Sequence, residues 1–328
     1  MAALAPSVAA VRVAVRRALA GTAPDSLVLV ACSGGADSLA LAAAAAFVAP
    51  RQGLRCGLVT VDHQLQPGSA DRSAAVAKWA EACGLSPVVT VRVEVGGRPG
   101  GPEAAAREAR YEALVGAARR AGATAVLLGH TRDDQAETVL LALARGAGPR
   151  GLAAMPARRD VAGIALLRPL LDVARADTVV ACRALGLEPW QDPHNTDPSY
   201  ARARVRALLP ALTEALGPGL VGNLARAATL AAADTEVLDA LAARAGADAA
   251  DGRGGLRVDV LVGLPAAVRT RVLHAWARGL GVAGSALSAR HVAALDALVT
   301  RWRGQGAVAL PGALHVTRRA GRLTASQG

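Results

Sequence analysis

The sequence predicts an α/β protein, with a doubly wound parallel sheet over residues 1–216 and a smaller, mainly helical domain over 217–328. Three observations carry that expectation. Short apolar runs with β-branched residues alternate with Ala/Leu-rich stretches of helical length through the first two thirds of the chain, the pattern of strands joined by crossover helices. A Gly217-Pro218-Gly219 turn then closes the alternation and reads as a linker. The length, 328 residues, suffices for two domains, and 52 % apolar content excludes a disordered chain. Aromatic residues are only 2 %, so Ala, Val and Leu must fill the core.

Taken in order, residues 6–20 read as an amphipathic helix leading into a first strand, the short apolar run that follows Ser26, with a helix over about 37–48 behind it. Arg55 to His63 is a second strand that ends in two polar residues. Residues 69–83 make a helix capped by Ser69 and stopped by Gly84. A third strand, Pro87 to Val95, passes through a Gly/Pro-rich loop, Gly96 to Pro102, to a long helix containing Ala106 to Leu114. A fourth, Thr124 to Gly129, runs into His130 and another helix. Beyond the linker lie an Ala-rich helix (about 220–246), a Gly-rich turn, and helices near 263–280 and 288–303 bearing Arg269, Arg271, Arg278, Arg290, Arg301 and Arg303. Gly306 to Thr324 alternates like a small β-hairpin around Pro311-Gly312.

The chemistry concentrates where strands hand over to helices. Ser33-Gly34-Gly35-Ala36-Asp37-Ser38 follows the first strand: two glycines allow close backbone approach, and the first N–H groups of the helix lack partners there and carry its dipole. A phosphate fits such a turn, with Ser33 and Ser38 as hydroxyl donors and Asp37 as a carboxylate able to hold Mg²⁺. An ordinary strand–turn–helix link, with Asp37 favourable to the dipole, explains the same residues. In a doubly wound sheet the ligand lies beyond the carboxyl ends of the strands, where the turn, Asp62-His63 and His130-Thr131 all fall. Asp62 and His63 also read as a plain strand end, and Thr131-x-x-Asp134 as a capping-box variant in which Asp133, Asp134 and Glu137 suit any helix start. Read together, the acidic groups can coordinate Mg²⁺ or act as base, and His130 can donate to a developing phosphate charge or shuttle a proton.

The string Ser33-Gly-Gly-Ala-Asp37-Ser38 resembles the pyrophosphate-binding loop of the N-type ATP pyrophosphatases. With Val61-Asp62-His63, Ala106-Arg107-x-x-Arg110-Tyr111-x-x-Leu114, Gly129-His130-x-x-Asp133-Asp134-Gln135-x-Glu137-Thr138, Arg145 to Met155, Arg168-Pro-Leu-Leu171 and Trp190 to Arg202, the chain is similar to the tRNA(Ile)-lysidine synthetase family over about residues 27–216. The resemblance implies ATP-dependent adenylation of the wobble cytidine in a tRNA(Ile) with a CAU anticodon, followed by displacement of AMP by free L-lysine. It implies an ATP site at Ser33, Gly34, Gly35, Ala36, Asp37 and Ser38 bordered by Asp62 and His63, with Mg²⁺ as a cofactor at Asp37. Asp37, His130, Asp133, Asp134 and Glu137 would carry catalysis and lysine binding. Arg107, Arg110, Arg145, Arg202 and Arg206 would meet tRNA or phosphates, against the plain alternative that the two helical arginines pair with Glu108 and Glu112. A homodimer stays open. Gln66 and Ala203 depart from the family pattern, which usually has Arg and Asn there.

Partner and compartment follow from charge and cysteine usage. The net charge is +11, and residues 217–328 hold 13 arginines against 7 acidic residues, which favours an anionic partner such as nucleic acid. Cys32, Cys56, Cys83 and Cys182 form no Cys-x-x-Cys pair, and no apolar run reaches membrane-spanning length, so a cytoplasmic protein with reduced core thiols is expected. A tRNA thiolase of the same superfamily is the nearest alternative and would need a reactive thiolate at the crevice. A small-molecule ligase would have no need of the basic last third, and a non-catalytic RNA-binding module would have no need of the acidic residues.

Overall fold

The computed structural model describes residues 4–62, 68–93, 102–191, 197–284 and 286–327, and in the helix beginning at Pro102 it describes side chains from Arg107 onward. His63, Gln66, residues 96–101 of the expected loop and the 192–196 segment lie outside the described residues. The chain divides into two compact units, Met1–Ala232 and Ala233–Gly328, and the division falls inside one long helix, Leu220–Ala249.

The first unit contains α1 (Pro6–Leu19), β1 (Leu27–Ala31), α2 (Ala36–Arg51), β2 (Arg55–Asp62), α3 (Ser69–Ala82), β3 (Val88–Arg92), α4 (Pro102–Ala121) and β4 (Ala123–Leu127). It continues with α5 (Arg132–Ala144), α6 (Pro149–Leu152), β5 (Arg158–Val161), β6 (Ile164–Leu167), α7 (Arg175–Ala184) and α8 (Ala201–Leu216). Its six-stranded sheet has the order β3-β2-β1-β4-β6-β5, parallel except for β5, which pairs antiparallel with β6 at the edge. From β1 the chain steps outward through β2 to β3, then returns to add β4 on the other side of β1. The strand order therefore switches between β1 and β4, and a crevice opens beyond their carboxyl ends.

Side-chain alternation explains why the strands are apolar on both faces. Val28, Val30, Leu58 and Leu127 point into a core shared with α1, α2, α3 and α7, while Leu27, Leu29, Val59 and Val126 face one shared with α4. In α1 the buried residues Val8, Val11, Val15 and Leu19 recur at helical spacing, and Pro6 starts the helix where its missing N–H costs nothing. The expected Ser69 cap is not one. Gly68, left-handed at φ +78°, is the N-cap of α3, and Ser69 is already helical. The β5–β6 hairpin, which no sequence pattern singled out, makes the edge beside β4.

The second unit takes up the rest of α9 (Leu220–Ala249), then β7 (Leu256–Arg257), α10 (Val258–Val262), α11 (Ala266–Gly279), α12 (Ala289–Thr300), β8 (Val308–Leu310), β9 (Leu314–Arg319) and β10 (Arg322–Gln327). The expected terminal hairpin is β8–β9. It belongs to a larger antiparallel sheet of order β7-β10-β9-β8, because β10 returns along β9 after the Ala320-Gly321 turn. Leu261, Leu273, Leu295, Leu298, Val316 and Leu323 form its core. Two of the arginines expected to be free for nucleic acid are structural: Arg269 Nε donates to Asp296 at 2.6 Å and ties α11 to α12, and Arg271 Nε donates to Asp239 at 3.0 Å. Arg278, Arg290, Arg301 and Arg303 are exposed. Among the described residues no helix is long and apolar enough to cross a membrane.

Candidate active site

The turn between β1 and α2 is held open by contacts from several segments. Gly34 takes φ +86°, and a Cβ there would press Val76 Cγ2 of α3 at 3.2 Å. Gly35 is the N-cap of α2 and makes no side-chain cap, so the first-turn N–H groups face the crevice mouth without intrahelical acceptors. Ser38 Oγ donates to Gly35 O at 2.9 Å, accepts from Ser33 N–H at 3.2 Å and lies 3.4 Å from Ser33 Oγ, so both hydroxyls belong to the turn. Trp190 N–H donates to Gly34 O at 2.9 Å, and the Arg72 guanidinium lies 3.2 Å from the centroid of the Trp190 ring. Arg72 thus brings a cation beside the turn, which nothing in its local sequence announced.

Gly129, at the end of β4, approaches the same turn. A Cβ on it would lie 3.2 Å from the carbonyl of Asp37 and from Ser38 Cα, backbone atoms that cannot rotate away. Gly129→Ala is therefore expected to push α2 from β4, destabilise the protein by about 1–3 kcal/mol and raise the KM for ATP, as thermal unfolding and initial rates would show. Unchanged values for both would mean that the approach is not needed.

The acidic residues at the start of α5 form one ion cluster with three arginines. Thr131 is the N-cap and completes a capping box with Asp134: Thr131 N–H and Oγ1 donate to Asp134 Oδ2 at 2.8 and 3.0 Å. Arg175, the first residue of α7, donates from Nη2 to Asp134 Oδ1 at 2.7 Å and from Nη1 to Glu137 Oε1 at 3.0 Å, and its Nε lies 3.6 Å from Asp37 Oδ2. Its main-chain N–H donates to Asp133 Oδ2 at 2.8 Å. From α8, Arg206 donates to Glu137 through Nε at 2.8 Å and Nη2 at 3.2 Å, while Arg202 stands 3.7 Å from Glu137 and donates to Thr138 Oγ1 at 3.1 Å. Glu137 has 0 % side-chain exposure. Thr178 Oγ1 donates to Asp37 Oδ1.

Burial raises the Asp37 pKa, against the opposing pull of Thr178 and Arg175. Burial would raise Asp134 too, but Arg175, the Thr131 N–H and Arg202 outweigh it and hold that carboxyl below its usual range. The sequence did offer one faint signal for Arg175. A cation at the first position of a helix opposes the dipole and implies anionic partners nearby.

A second group of cations lies on the α4 side. The Tyr111 hydroxyl accepts from Arg107 Nη2 and Arg168 Nη2, each at 3.3 Å, and neither Arg107 nor Arg110 pairs with a carboxylate among the described residues. Burial lowers the pKa of both Arg107 and Arg110, with neighbouring arginines adding to it. Arg168, 4 % exposed, donates from Nη1 to Pro156 O at 2.7 Å, and its buried Nε has no partner.

His130 sits between the two groups, and its buried Nδ1 has no hydrogen-bond partner among the described residues. Burial, opposed by Asp134 and assisted by Arg110, pushes its pKa well below the ordinary value, so the imidazole is neutral in the folded protein. As pH falls below about 6.5 the unfolded chain gains a proton that the folded one refuses, and stability is lost. Asp62 is buried at the end of β2, while Arg145 caps the far end of α5, roughly 16 Å along the helix from Asp134, and is exposed.

Among the described residues no three His, Cys, Asp or Glu side chains gather as a metal site. Asp37 alone suits Mg²⁺ of the kind that binds one or two carboxylates and completes its shell with phosphate oxygens and water. Two thiols flank the turn rather than the one visible in sequence: Cys32 Sγ lies 3.6 Å from Ser38 Oγ, and Cys182 Sγ donates to Ala36 O at 3.3 Å. Burial raises the pKa of both, that of Cys182 to about 11, and pushes Cys56 up to about 12.

A mainly parallel sheet with a glycine turn at its switch point, next to an acidic helix start, is the arrangement of the PP-loop class, and the PP-loop domain family matches residues 10–212. Residues 256–324 match the family described as the TilS substrate binding domain. A tRNA(Ile)-lysidine synthase of Salinispora tropica is 68 % identical over 99 % of this chain and 98 % of its own length, and that of Thermobifida fusca is 56 % identical over 98 % of each. The chain belongs to the tRNA(Ile)-lysidine synthase family. Its fold is shared with the U34-tRNA thiolase NcsA from Methanococcus maripaludis, at 18 % identity and a TM-score of 0.57 over 68 % of this chain and 78 % of that one.

Proposed function

We propose that the protein ligates free L-lysine to the wobble cytidine of a tRNA(Ile) with a CAU anticodon, through an adenylated cytidine, releasing AMP and pyrophosphate. The observation that carries this reading is the juxtaposition of two half-sites, a phosphate turn at Asp37 and a carboxylate cluster at Asp134 and Glu137, joined through Arg175. ATP phosphates accept from the N–H groups of Gly35 to Ser38 and from the Ser33 and Ser38 hydroxyls, bordered by Asp62 and His63. Asp37 is the residue that would hold Mg²⁺, which when bound would supply charge neutralisation for the pyrophosphate leaving group.

The cytidine oxygen attacks the α-phosphorus, so AMP stays on the base and the adjacent ring carbon becomes electrophilic. The lysine amine then attacks that carbon and the bond to AMP breaks. Asp133, Asp134 and Glu137 offer anionic partners for the remaining ammonium and a carboxylate to take the proton the amine loses, while neutral His130, whose basicity burial suppresses, can donate to the developing phosphate charge.

Nucleic acid is attracted by the exposed arginines of residues 217–328, which we assign to tRNA binding, and by the Arg107, Arg110 and Arg168 group. The latter group, which pairs with no carboxylate among the described residues, suits a phosphate. Arg145, Arg202 and Arg206 complete the basic surround. The test is mass spectrometry of nucleosides from tRNA incubated with the protein, ATP and isotopically labelled lysine: a lysine-bearing cytidine is expected, and a sulfur-bearing base would sink the reading. Sulfur transfer needs an accessible thiolate, and burial disfavours one at Cys32 and Cys182. Single Cys32→Ser, Cys56→Ser, Cys83→Ser and Cys182→Ser variants are accordingly expected to keep most of their lysine-transfer rate, whereas loss of activity in a folded Cys32 or Cys182 variant would favour a thiolase.

A further inference from the structure

Arg175 touches Asp37 and all three acidic residues at the start of α5. Its guanidinium addresses Asp134 at 2.7 Å, Glu137 at 3.0 Å and Asp37 at 3.6 Å, and its main-chain N–H holds Asp133 at 2.8 Å. One turn further along α7, the single Thr178 hydroxyl donates to Asp37 and lies 2.7 Å from Arg175 O. The first turn of α7 thus reaches the phosphate turn on one side and the start of α5 on the other. Arg206 and Arg202 reach only the α5 side. A planar guanidinium offers five N–H groups in a fixed fork and can serve three carboxylates at once, whereas an ammonium is a point charge on a flexible stem.

We propose that Arg175 is a positioning residue that couples the two half-reactions, holding Asp37 at the ATP side in fixed relation to Asp134 and Glu137 at the amino-acid side. The inference rests on the functional reading above. Three carboxylates of unlike provenance face three guanidiniums, and among the described residues only Arg175 spans both sets. Removing it frees Asp37 from the α5 carboxylates and leaves those acids mutually repelling. Damage then extends to both steps, the transfer of AMP to the base and the attack of lysine, although Arg175 takes no part in either bond.

The test uses the full chain and reads the half-reactions separately: tRNA-dependent pyrophosphate release from ATP without lysine, and transfer of lysine with its own kcat and KM. Arg175→Met is expected to lower both rates by about 10²-fold or more, with the KM for lysine raised as well. Arg175→Lys restores the charge but not the fork and is expected to stay at least about tenfold below wild type in both steps. Guanidinium ion added to Arg175→Ala is expected to recover part of both rates, which a merely structural role would not permit. An effect confined to one half-reaction in a folded variant overturns the coupling. Should Arg175→Met fail to fold, Arg175→Lys decides: wild-type rates in both steps refute the proposal. A wild-type chain that releases pyrophosphate but transfers no lysine refutes the functional reading instead, and the variants' pyrophosphate release still tests the tie to Asp37.

Discussion

Asp37→Ala is expected to abolish tRNA-dependent pyrophosphate release, with a loss of at least about 10³-fold, because one side chain serves several demands at the point where negative charge develops. Asp37 lies in the first turn of α2, beside the N–H groups that receive phosphate, and is the one acidic residue there. Its carboxylate accepts from Thr178 and faces Arg175, so its orientation is fixed before ATP arrives. Burial works against ionisation and raises the pKa of the carboxyl, while those two partners pull the other way. Asp37→Asn separates charge from shape: the amide can still accept from Thr178, but it neither neutralises Arg175 nor binds Mg²⁺ well. It should be nearly as damaged as the alanine variant while keeping its melting temperature. Single-turnover measurements of pyrophosphate would show this. Normal release by a folded Asp37→Asn protein, or release of ADP and orthophosphate by the wild type, would end the assignment.

The parts of this site that the sequence disclosed are those decided within a few residues. Gly34 must be glycine because its backbone is left-handed, Thr131 and Asp134 make a capping box at fixed spacing, and β1 and α2 announce themselves by period. What stayed hidden depends on tertiary distance. Arg175 lies 41 residues from Asp134 and 38 from Glu137 in the chain, and no periodicity relates them. The same holds for Trp190 and Arg72 at the turn, and for Cys182, which packs beside Ala36 from α7.

Local signals also misled where a neighbour of similar chemistry was available. Ser69 looks like a helix cap, yet Gly68 can take the left-handed backbone that ends the preceding loop. Arginines 269 and 271 look like surface charge, yet each finds an acid on another helix, Asp296 and Asp239, and becomes part of the second unit's own packing. Strands as short as β7 and β8 carry too few residues to show alternation, so the sheet around the terminal hairpin was not legible.

Glu137→Gln should separate what a carboxylate does for folding from what it does for lysine. Glu137 has no exposed side-chain surface, accepts from Arg175 and doubly from Arg206, and has Arg202 at 3.7 Å. The amide keeps one acceptor oxygen but turns an NH₂ group toward guanidinium N–H groups, so donors face donors and three cations lose their common anion. Breaking a buried ion pair costs about 3–5 kcal/mol, and the partial exposure of the arginines places this case near the lower end. The melting temperature should therefore fall by roughly 6–12 °C for a unit of this size, with a lower denaturation midpoint and an unchanged denaturant slope. Below that temperature, the KM for lysine should rise about tenfold, as expected when one full charge is withdrawn from the set that receives an ammonium. Stability loss with an unchanged KM would make Glu137 a counter-ion for the arginines alone, leaving Asp134 and Asp133 to hold the amino acid, and a melting temperature equal to wild type would show that the three guanidiniums do not depend on it.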